Sequence, residues 1–319
     1  MATTTHLRSL QAVEMALRCG SLQKAADALG ITPAAVGQRV RALEDFLGIE
    51  LLLRSRSGLR PTRELDAALG DLREAFAALE RVSDKLDFQR TTEIHLVADP
   101  DWAELWLMPR LPAFRSAHPQ ILFCINGEGD VPLRLGAADL HIDAPRGSDT
   151  AAGVPLYRDL LLPIGTADTA YRMEGRRVED CLEGFPLLHL ALREGQAMDA
   201  GWADWIAVWG HRQTAIDRGV KFQSGQLALD GVRSNVGFFL GRLSFVLDEL
   251  ARDAFILPFP PTENLPAAAP YMLRVRPEAA RRPQVQRFTD WLMGEVDRTK
   301  AEMEAVVAQA PRITLIRDG

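Results

Sequence analysis

The chain has 319 residues, of which 47% are hydrophobic and 25% are charged. This is the composition of an ordinary globular protein of two or three domains, and it excludes a largely disordered chain. The net charge of −6 excludes a protein that binds polyanions through its overall charge, so any nucleic-acid site must be a local basic patch. Three widely spaced cysteines, Cys19, Cys124 and Cys181, fit a reducing compartment and form neither a disulfide framework nor a zinc site.

The sequence shows no signal for secretion or for insertion into a membrane. The N-terminus lacks the basic start and apolar run of a secretion signal, and no stretch approaches the roughly 18 apolar residues that span a bilayer. We therefore expect a cytoplasmic protein without membrane contact.

Residues 1–63 contain nine basic and five acidic residues, whereas residues 64–319 contain 28 basic and 38 acidic residues. This asymmetry indicates a nucleic-acid partner for the N-terminal segment.

Three short helices are predicted in the first fifty residues. Apolar residues recur at helical spacing over residues 7–19, 22–29 and 33–47, and a glycine follows each stretch. Ser21 can cap the second helix, and Thr32, followed by proline, can cap the third.

The turn between the second and third helices is three or four residues long and contains a glycine, which is the helix-turn-helix pattern. In that pattern the second helix of the pair is the recognition helix, which enters the DNA major groove. Its polar face carries Gln38, Arg39 and Arg41. A strand predicted over Ile49–Leu53, followed by the basic turn 54–60, indicates a wing. Spacing alone leaves open a small helical bundle whose arginines are only solvated.

The string SLQKAADALGITPAAVGQRVRALEDFLGIELLLRSRSGLRPT fills residues 21–62. It resembles the corresponding segment of the LysR-type transcriptional regulators, and a looser match extends over the whole chain. Three residues depart from the family pattern: Gly37 replaces a usual Ser, Leu52 a usual Phe, and Leu65 a usual Gly. These departures bear on the DNA sequence preference and not on the fold.

The resemblance implies a sequence-specific DNA-binding regulator with no catalytic activity. By family position, the start of the third helix approaches the base edges, and the arginines of the third helix and the wing contact phosphates. Gln38 can pair with adenine through two hydrogen bonds, although a merely solvated Gln38 is the alternative. The predicted DNA-binding residues are Ser21, Thr32, Pro33, Ala34, Gly37, Gln38, Arg39, Arg41, Arg54 and Arg56.

A long helix is predicted to follow the wing. Apolar residues recur in steps of four and three, which is the a/d repeat of a coiled coil, and one serine completes the set. We call this set the linker seam; it consists of Leu65, Leu69, Leu72, Phe76, Leu79, Ser83 and Leu86. The seam either packs on its own domain or pairs two subunits. The resemblance implies the second, because the linker helix of the family joins dimers, which often assemble into tetramers.

From residue 93 onward, short apolar strands alternate with helical stretches, which predicts an α/β domain with a parallel or mixed sheet. The strand candidates are Ile94–Ala98, Ile121–Ile125, Leu140–Asp143, Asp159–Ile164, Leu187–Leu190, Val236–Leu240, Phe255–Leu257 and Tyr271–Val275. The helix candidates are Trp102–Ala117, Val178–Leu182, Gly201–Trp209, Leu227–Val232, Phe245–Arg252 and Val285–Val306.

The segments DWAELWLMPRLPAFRSAHPQI and SGQLALDGVRSNVGFFLGRLSFVLDELA resemble a LysR-type effector domain, the second segment most like the glycine-cleavage activator subgroup. The resemblance implies a two-lobed fold similar to that of periplasmic solute-binding proteins. The predicted division is a winged helix-turn-helix domain over 1–62, a linker helix over 63–90 and an effector-binding domain over 91–319. Within the last, lobe one would comprise about 91–163 and 266–300, and lobe two about 164–265.

A small-molecule effector is expected in the cleft between the lobes. Where the family often receives an anion after the first strand of this domain, this chain has Asp99 and Asp101, and Asp143 ends the third strand. These carboxylates favour a cationic or amine-bearing ligand, with Trp102 or Trp106 available for a cation–π contact. Simple capping of a helix by Asp99 is the alternative. The predicted effector-binding residues are Asp99, Pro100, Asp101, Trp102, Asp143, Ser224, Gly225, Gln226, Val236 and Gly237.

No catalytic or cofactor-binding motif is recognisable, and the six histidines are scattered without the spacing of a metal site. We therefore expect neither a cofactor nor a metal. The expected partners are promoter DNA, further copies of the chain in a homodimer or homotetramer, a small-molecule effector and RNA polymerase. The alternative is an enzyme of small metabolites with an accessory helix-turn-helix domain, which would need a nucleophile, a base and an orienting group close together. A pure solute-binding protein is disfavoured by the basic wing.

Overall fold

The computed structural model describes residues 6–55, 58–87, 92–133, 138–145, 153–191 and 199–309. The chain divides into two compact units. The first consists of Met1–Ala98, Ala117–Ile142 and Arg274–Phe288, and the second of Asp99–Ser116, Asp143–Leu273 and Thr289–Gly319. Among the described helices, none is both long enough and apolar enough to cross a membrane.

The N-terminal part of the first unit is a winged helix-turn-helix. Its elements are α1 (Leu7–Cys19), α2 (Leu22–Leu29), α3 (Pro33–Leu47), β1 (Leu52–Ser55), β2 (Gly58–Pro61) and α4 (Arg63–Asp87). The three predicted helices are confirmed, and left-handed glycines follow α1 and α3 as expected. The wing is an antiparallel pair in which Leu52 lies opposite Pro61. Its first strand begins three residues later than predicted, since Ile49 still belongs to the turn that ends α3, where its N–H bonds to the carbonyl of Glu44 at 3.3 Å.

Small and aliphatic side chains form the core of this domain. Alanines at the crossing of α1 and α2 let the two helices approach closely, and Leu65 joins the same cluster from the start of α4. The buried residues of this cluster are Ala12, Val13, Ala16, Ala25, Ala26, Leu29, Val36, Val40, Leu43, Leu51 and Leu65.

A six-stranded sheet has the order β5-β4-β3-β6-β13-β7. Strand β3 runs parallel to both β4 and β6, as alternation of strands and helices predicts. The strands are β3 (Glu93–Ala98), β4 (Leu122–Ile125), β5 (Glu128–Gly129), β6 (Leu140–Asp143), β7 (Val154–Pro155) and β13 (Met272–Val275). The helix predicted after β3 is α5 (Pro100–Trp102), a π-helical turn over Ala103–Leu107 and then α6 (Met108–Ala117).

A buried ion pair stabilises the first unit beneath this sheet. Asp139 is fully buried, and its carboxylate accepts hydrogen bonds from Arg282 Nη1 at 2.8 Å and from the backbone N–H of His95 at 2.9 Å. Arg282 also donates to the carbonyl of Glu93 at 2.9 Å. The guanidinium therefore joins the residue before the last helix, α11 (Pro283–Val307), to the first strand of the sheet.

A five-stranded sheet has the order β10-β9-β11-β8-β12. Its strands are β8 (Leu160–Ile164), β9 (Leu187–Leu190), β10 (Gly219–Phe222), β11 (Phe238–Arg242) and β12 (Leu265–Pro266), and the helices of this region are α7 (Ala167–Tyr171), α8 (Trp202–Trp209), α9 (Gly225–Arg233) and α10 (Leu247–Ala251). Strand β10 was not predicted, because it is an exposed edge strand without an apolar pattern. The strand predicted at Phe255–Leu257 is only a bridge between Ile256 and Gly165.

Candidate functional site

The start of α3 presents short side chains to solvent. Thr32 Oγ1 accepts a hydrogen bond from the backbone N–H of Ala35 at 3.2 Å, which is the predicted N-cap. Thr32, Pro33 and Ala34 are exposed, so this end of the helix is free of covering side chains in the described chain. One turn further, Gln38 is exposed and Gly37 is half-buried.

Basic side chains gather beside α3. Arg41 is exposed, and Arg39 is half-buried. Burial and the nearby charge of Arg8 lower the pKa of Arg39. Arg8 is exposed on α1, and sequence analysis did not single it out, because only the packing of α1 against α3 reveals that the two charges are neighbours. Such a group of like charges is favourable when an anion lies over it.

Ser21 has a local structural role. Its Oγ accepts a hydrogen bond from the backbone N–H of Lys24 at 3.1 Å, as expected of the N-cap of α2. The turn before it also contacts the wing, since the carbonyl of Gly20 accepts a hydrogen bond from the N–H of Leu59 at 3.1 Å. Gly58 has φ +114°, and a Cβ there would lie 2.7 Å from the same carbonyl oxygen, so that a glycine is required.

The wing is fixed to α3 by one carboxylate. Glu44 Oε1 accepts hydrogen bonds from the backbone N–H groups of Leu51 at 2.8 Å and Leu52 at 3.3 Å. The backbone of Arg54 lies in β1, but its side chain and the whole of Arg56 are outside the described residues. Their predicted contact with phosphate therefore stays a prediction.

The linker seam lies along α4. Leu65 is buried in the core of the winged domain and the half-buried Leu72 packs against that core, while Leu69, Phe76 and Leu79 are half-buried within the single chain. A row of half-buried large apolar side chains on a long helix is the surface expected to pair with another helix. The side chains of Ser83 and Leu86 are outside the description.

In the second unit, the two acidic residues at the start of the predicted effector site already accept backbone hydrogen bonds. Asp99 Oδ1 accepts from the N–H of Trp102 at 2.9 Å, so Asp99 is the N-cap that the alternative interpretation required. Asp101 is 6% exposed, and its Oδ1 accepts from the N–H of Gly225 at 2.9 Å. Asp101 thus brings the start of α5 next to the N-terminus of α9. We call the segment Asp99–Asp101 the acidic lip.

Trp102 lies below this lip in a buried polar network. Its ring is fully buried and stacks on Trp106 with centroids 4.7 Å apart, and its Nε1–H donates to the Tyr157 hydroxyl at 3.1 Å. That hydroxyl lies 3.2 Å from Ser244 Oγ, which also hydrogen-bonds to Asp159. Burial raises the pKa values of Tyr157 and Asp159. Trp102 and Trp106 were both predicted as cation–π partners of a ligand, but both rings are fully buried, and the Trp106 ring lies 4.9 Å from the guanidinium carbon of Arg110.

The remaining predicted effector residues lie at the ends of their elements. Ser224 Oγ caps α9 by accepting from the N–H of Leu227 at 3.3 Å, and Gln226 Nε2 donates to Asp230 at 3.2 Å. Gln226 lines a cavity of about 200 Å³ together with Glu104, Arg110 and Ser244.

Pro100 is the exposed first residue of α5, Asp143 is half-buried at the end of β6, and Val236 is 39% exposed. At Gly237 a Cβ would lie 2.1 Å from the carbonyl oxygen of Pro186, so that the chain can pass there only as glycine. A larger cavity of about 350 Å³, beside α10 and the end of α11, contains no predicted site residue.

The structure brings together one set of residues that resembles a catalytic triad. Cys181 Sγ lies 3.6 Å from His211 Nδ1, and His211 Nε2 lies 2.7 Å from Glu263 Oε2. Sequence analysis did not find this set, because its members are 30 and 52 residues apart.

Its surroundings are those of a packed core. Cys181 is fully buried, burial raises the pKa of its thiol to about 12, and the thiol donates to the carbonyl of Val178. His211 Nδ1 faces that carbonyl at 2.9 Å, and its ring stacks on Trp205. A thiol that stays protonated and inaccessible is not a nucleophile. Among the described residues, no group of three or more His, Cys, Asp or Glu side chains could hold a metal ion.

Two family models match the chain in sequence. Residues 7–64 match the bacterial regulatory helix-turn-helix protein of the lysR family, and residues 89–297 match the LysR substrate binding domain. The chain is 30% identical over 292 residues to the HTH-type transcriptional activator AmpR of Rhodobacter capsulatus, covering 91% of this chain and 96% of that protein. It is 26% identical to the glycine cleavage system transcriptional activator of Escherichia coli K12, covering 91% and 93%.

The fold also resembles a solved structure of full length. The Vibrio cholerae virulence activator AphB superposes with a TM-score of 0.53 at 16% sequence identity, covering 90% of this chain and 98% of that one. The predicted fold class, a winged helix-turn-helix and linker helix followed by a two-lobed α/β effector domain, is confirmed.

Proposed function

Since the chain belongs to the LysR family of bacterial transcriptional regulators, we propose that it binds promoter DNA through α3 and the wing and that a small molecule in its second unit controls this binding. The exposed, capped start of α3 supports the first part, because it leaves the helix end free to enter a major groove. The protein would act in the cytoplasm, where it would reach both DNA and metabolites.

The proposed contacts with DNA divide into two classes. Thr32, Pro33, Ala34, Gly37 and Gln38 approach base edges and specify sequence. The second class contacts the DNA backbone and positions the protein. It consists of Ser21, Arg39, Arg41, Arg54 and Arg56. The half-buried Arg39 beside Arg8 supports this assignment.

The working form is a homodimer or a homotetramer built from two dimers. The half-buried side chains of the linker seam support a paired α4, and a dimer presents two recognition helices to two half-sites. We propose the division into a winged helix-turn-helix domain over 1–62, a linker helix over 63–90 and an effector-binding domain over 91–319. Effector binding would change the arrangement of the subunits, and with it the bending of DNA and contact with RNA polymerase.

The effector would bind where the start of α5 meets the N-terminus of α9. We propose an amine-bearing ligand, with Asp99, Pro100, Asp101 and Asp143 on one side, where the buried Trp102 would support the site without contacting the ligand. The other side would be Ser224, Gly225, Gln226, Val236 and Gly237. The hydrogen bond from Gly225 to Asp101 and the cavity lined by Gln226 support this location. We propose no catalytic activity, since the buried Cys181 lacks a reactive thiolate.

Sequencing of the genomic DNA fragments that the full-length protein retains tests this proposal. A small enriched set with a shared sequence is expected, and equal retention of unrelated fragments would contradict it. Gln38→Ala should relax the preference at one base pair by about 1–3 kcal/mol without a general loss of affinity. Gln213→Ala, an exposed residue of the second unit, is the control.

A further inference from the structure

Arg242, the last residue of β11, is a mostly buried cation that is only partly paired. Its side chain is 13% exposed, and Nη2 donates to Asp199 Oδ2 at 2.5 Å. The other oxygen of Asp199 accepts from the backbone N–H of Ala268 at 2.9 Å, so each oxygen of this carboxylate has a hydrogen-bond donor. Nη1 of Arg242 is buried and has no hydrogen-bond partner within the described ranges.

The surroundings of Arg242 keep it charged and place it by the proposed effector site. Its guanidinium carbon lies 4.8 Å from the ring centroid of Tyr271. Burial alone would lower the pKa of Arg242, but Tyr271, Asp199, Asp159 and Asp99 act together to raise it. Asp99, the first residue of the proposed site, is therefore close enough to interact with this charge.

Another arginine of the same unit shows the usual arrangement. Arg233 also lies over an aromatic ring, 5.1 Å from the centroid of Phe255. Its Nη1 pairs with Asp230 at 2.5 Å, and its Nη2 pairs with Glu249 at 3.0 Å. Arg242 differs in that one nitrogen of its guanidinium, Nη1, is buried without a hydrogen-bond acceptor within the described ranges. A buried charged donor left unpaired is costly, so an unpaired arm in a native structure calls for an explanation, and a bound anion is one.

We propose that Arg242 Nη1 receives a carboxylate group of the effector. A planar guanidinium can donate parallel hydrogen bonds to the two oxygens of a carboxylate, and the Tyr271 ring lies 4.8 Å from the guanidinium carbon of Arg242. This inference rests on the proposed effector site and extends it. Together with the amine expected at Asp99 and Asp101, it defines the ligand class as a small zwitterion.

Acetate is the simplest probe of the Arg242 site. Thermal unfolding of the full-length protein is measured in 200 mM sodium acetate and in 200 mM sodium chloride at the same pH. We expect acetate to raise the Tm of the wild type by about 2 °C relative to chloride, as mass action predicts for a weak ligand. Arg242→Gln should abolish the difference, and Arg233→Gln, which removes a ring-stacked but fully paired arginine, should preserve it.

A second variant keeps the test decisive if Arg242→Gln fails to fold. Arg242→Lys retains the cation next to Asp199 but lacks the planar fork, and it should lose at least half of the acetate shift. Absence of the shift in the wild type, or an equal shift in either Arg242 variant, would overturn the inference. Methylammonium chloride, measured in parallel, probes the acidic lip alone, and retention of genomic DNA by the wild type tests the proposed function independently of both salts.

Discussion

The Glu44 carboxylate of α3 accepts a hydrogen bond at 2.8 Å from the backbone N–H of Leu51, at the entry to the wing. The same oxygen accepts from Leu52 at 3.3 Å, and Leu51 is only 4% exposed. One side chain of α3 thus positions the start of the wing, the second element that we propose to contact DNA. A helix that enters a DNA groove and a wing that reaches the DNA backbone must keep a fixed spacing to bind one site.

Glu44→Ala is therefore expected to loosen the wing. Two backbone N–H groups lose their acceptor, which costs about 1–2 kcal/mol of local stability and accelerates amide exchange in residues 51–61 about tenfold. Hydrogen exchange measured by mass spectrometry reports this directly. Asp45→Ala changes an exposed carboxylate on the same helix and should leave the exchange unchanged. Equal exchange in the two variants would show that Glu44 does not hold the wing.

Two glycines of the DNA-binding domain should respond to alanine with opposite signs. At Gly37 a Cβ would make an ordinary contact of 3.9 Å with Leu22, so Gly37→Ala should stabilise α3 by about 0.5–1 kcal/mol. At Gly58, φ is +114° and a Cβ would lie 2.7 Å from the carbonyl oxygen of Gly20, so Gly58→Ala should destabilise the wing. Urea unfolding measures both changes, and Gly70→Ala in α4 is a control expected to stabilise like Gly37→Ala. Destabilisation by Gly37→Ala would indicate that α3 packs more tightly at this position than the 3.9 Å distance to Leu22 allows.

The salt dependence of DNA binding tests the wing arginines. If Arg54 and Arg56 each contact one phosphate, the double substitution to alanine lowers the slope of log affinity against log salt concentration by about 2. Affinities measured between low and physiological salt give this slope. Arg172→Ala with Arg176→Ala removes two exposed arginines of the second unit and should leave the slope unchanged. An unchanged slope in the wing variant would remove both residues from the DNA interface.

Charges on the linker seam should dissociate the dimer. Leu72→Glu with Leu79→Glu places like charges where two copies of α4 are proposed to meet, without compensating partners. Sedimentation should then detect a monomer. Ala67→Glu with Arg81→Glu adds negative charge to exposed positions of the same helix outside the seam and should preserve the dimer. A dimeric seam variant would mean that contacts between effector domains hold the subunits together.

The carboxylate of Asp101 is expected to stabilise the proposed effector site even without ligand. Asp101→Ala leaves the N–H of Gly225 without its acceptor and should lower stability by about 1–3 kcal/mol, whereas Asp101→Asn keeps an acceptor oxygen. Thermal unfolding compares the two variants. A panel of amines, carboxylates and neutral metabolites then probes the ligand class. Stabilisation by carboxylates alone, undiminished in Asp101→Ala, would contradict the proposed role of the acidic lip.

The DNA-binding half of the molecule was largely predictable from sequence, because its signals are local. Helical spacing and three glycines define α1 to α3, and Thr32 caps α3 as its position before Pro33 indicates. The hydrogen bond from Leu51 to Glu44 was not predictable, since no local pattern states which carboxylate a distant backbone group will meet.

The effector half was predictable in architecture but not in its polar contacts. The two residues that bond to Asp139, His95 and Arg282, lie 44 and 143 residues from it in sequence. Sequence analysis placed the carboxylates of Asp99 and Asp101 in a ligand site, and the structure adds that each already accepts a backbone hydrogen bond. Arg242, which we propose as a ligand contact, was not singled out, because a lone arginine at the end of an apolar strand has no distinguishing spacing.

Footprinting of an enriched genomic fragment with the full-length protein, in the presence and absence of a low-molecular-weight cell extract, tests the central claim most directly. We predict protection of two half-sites separated by about one helical turn of DNA or a multiple of it, and a changed protection pattern when the extract is present. Uniform protection along unrelated fragments, identical with and without extract, would contradict a sequence-specific regulator controlled by a small molecule.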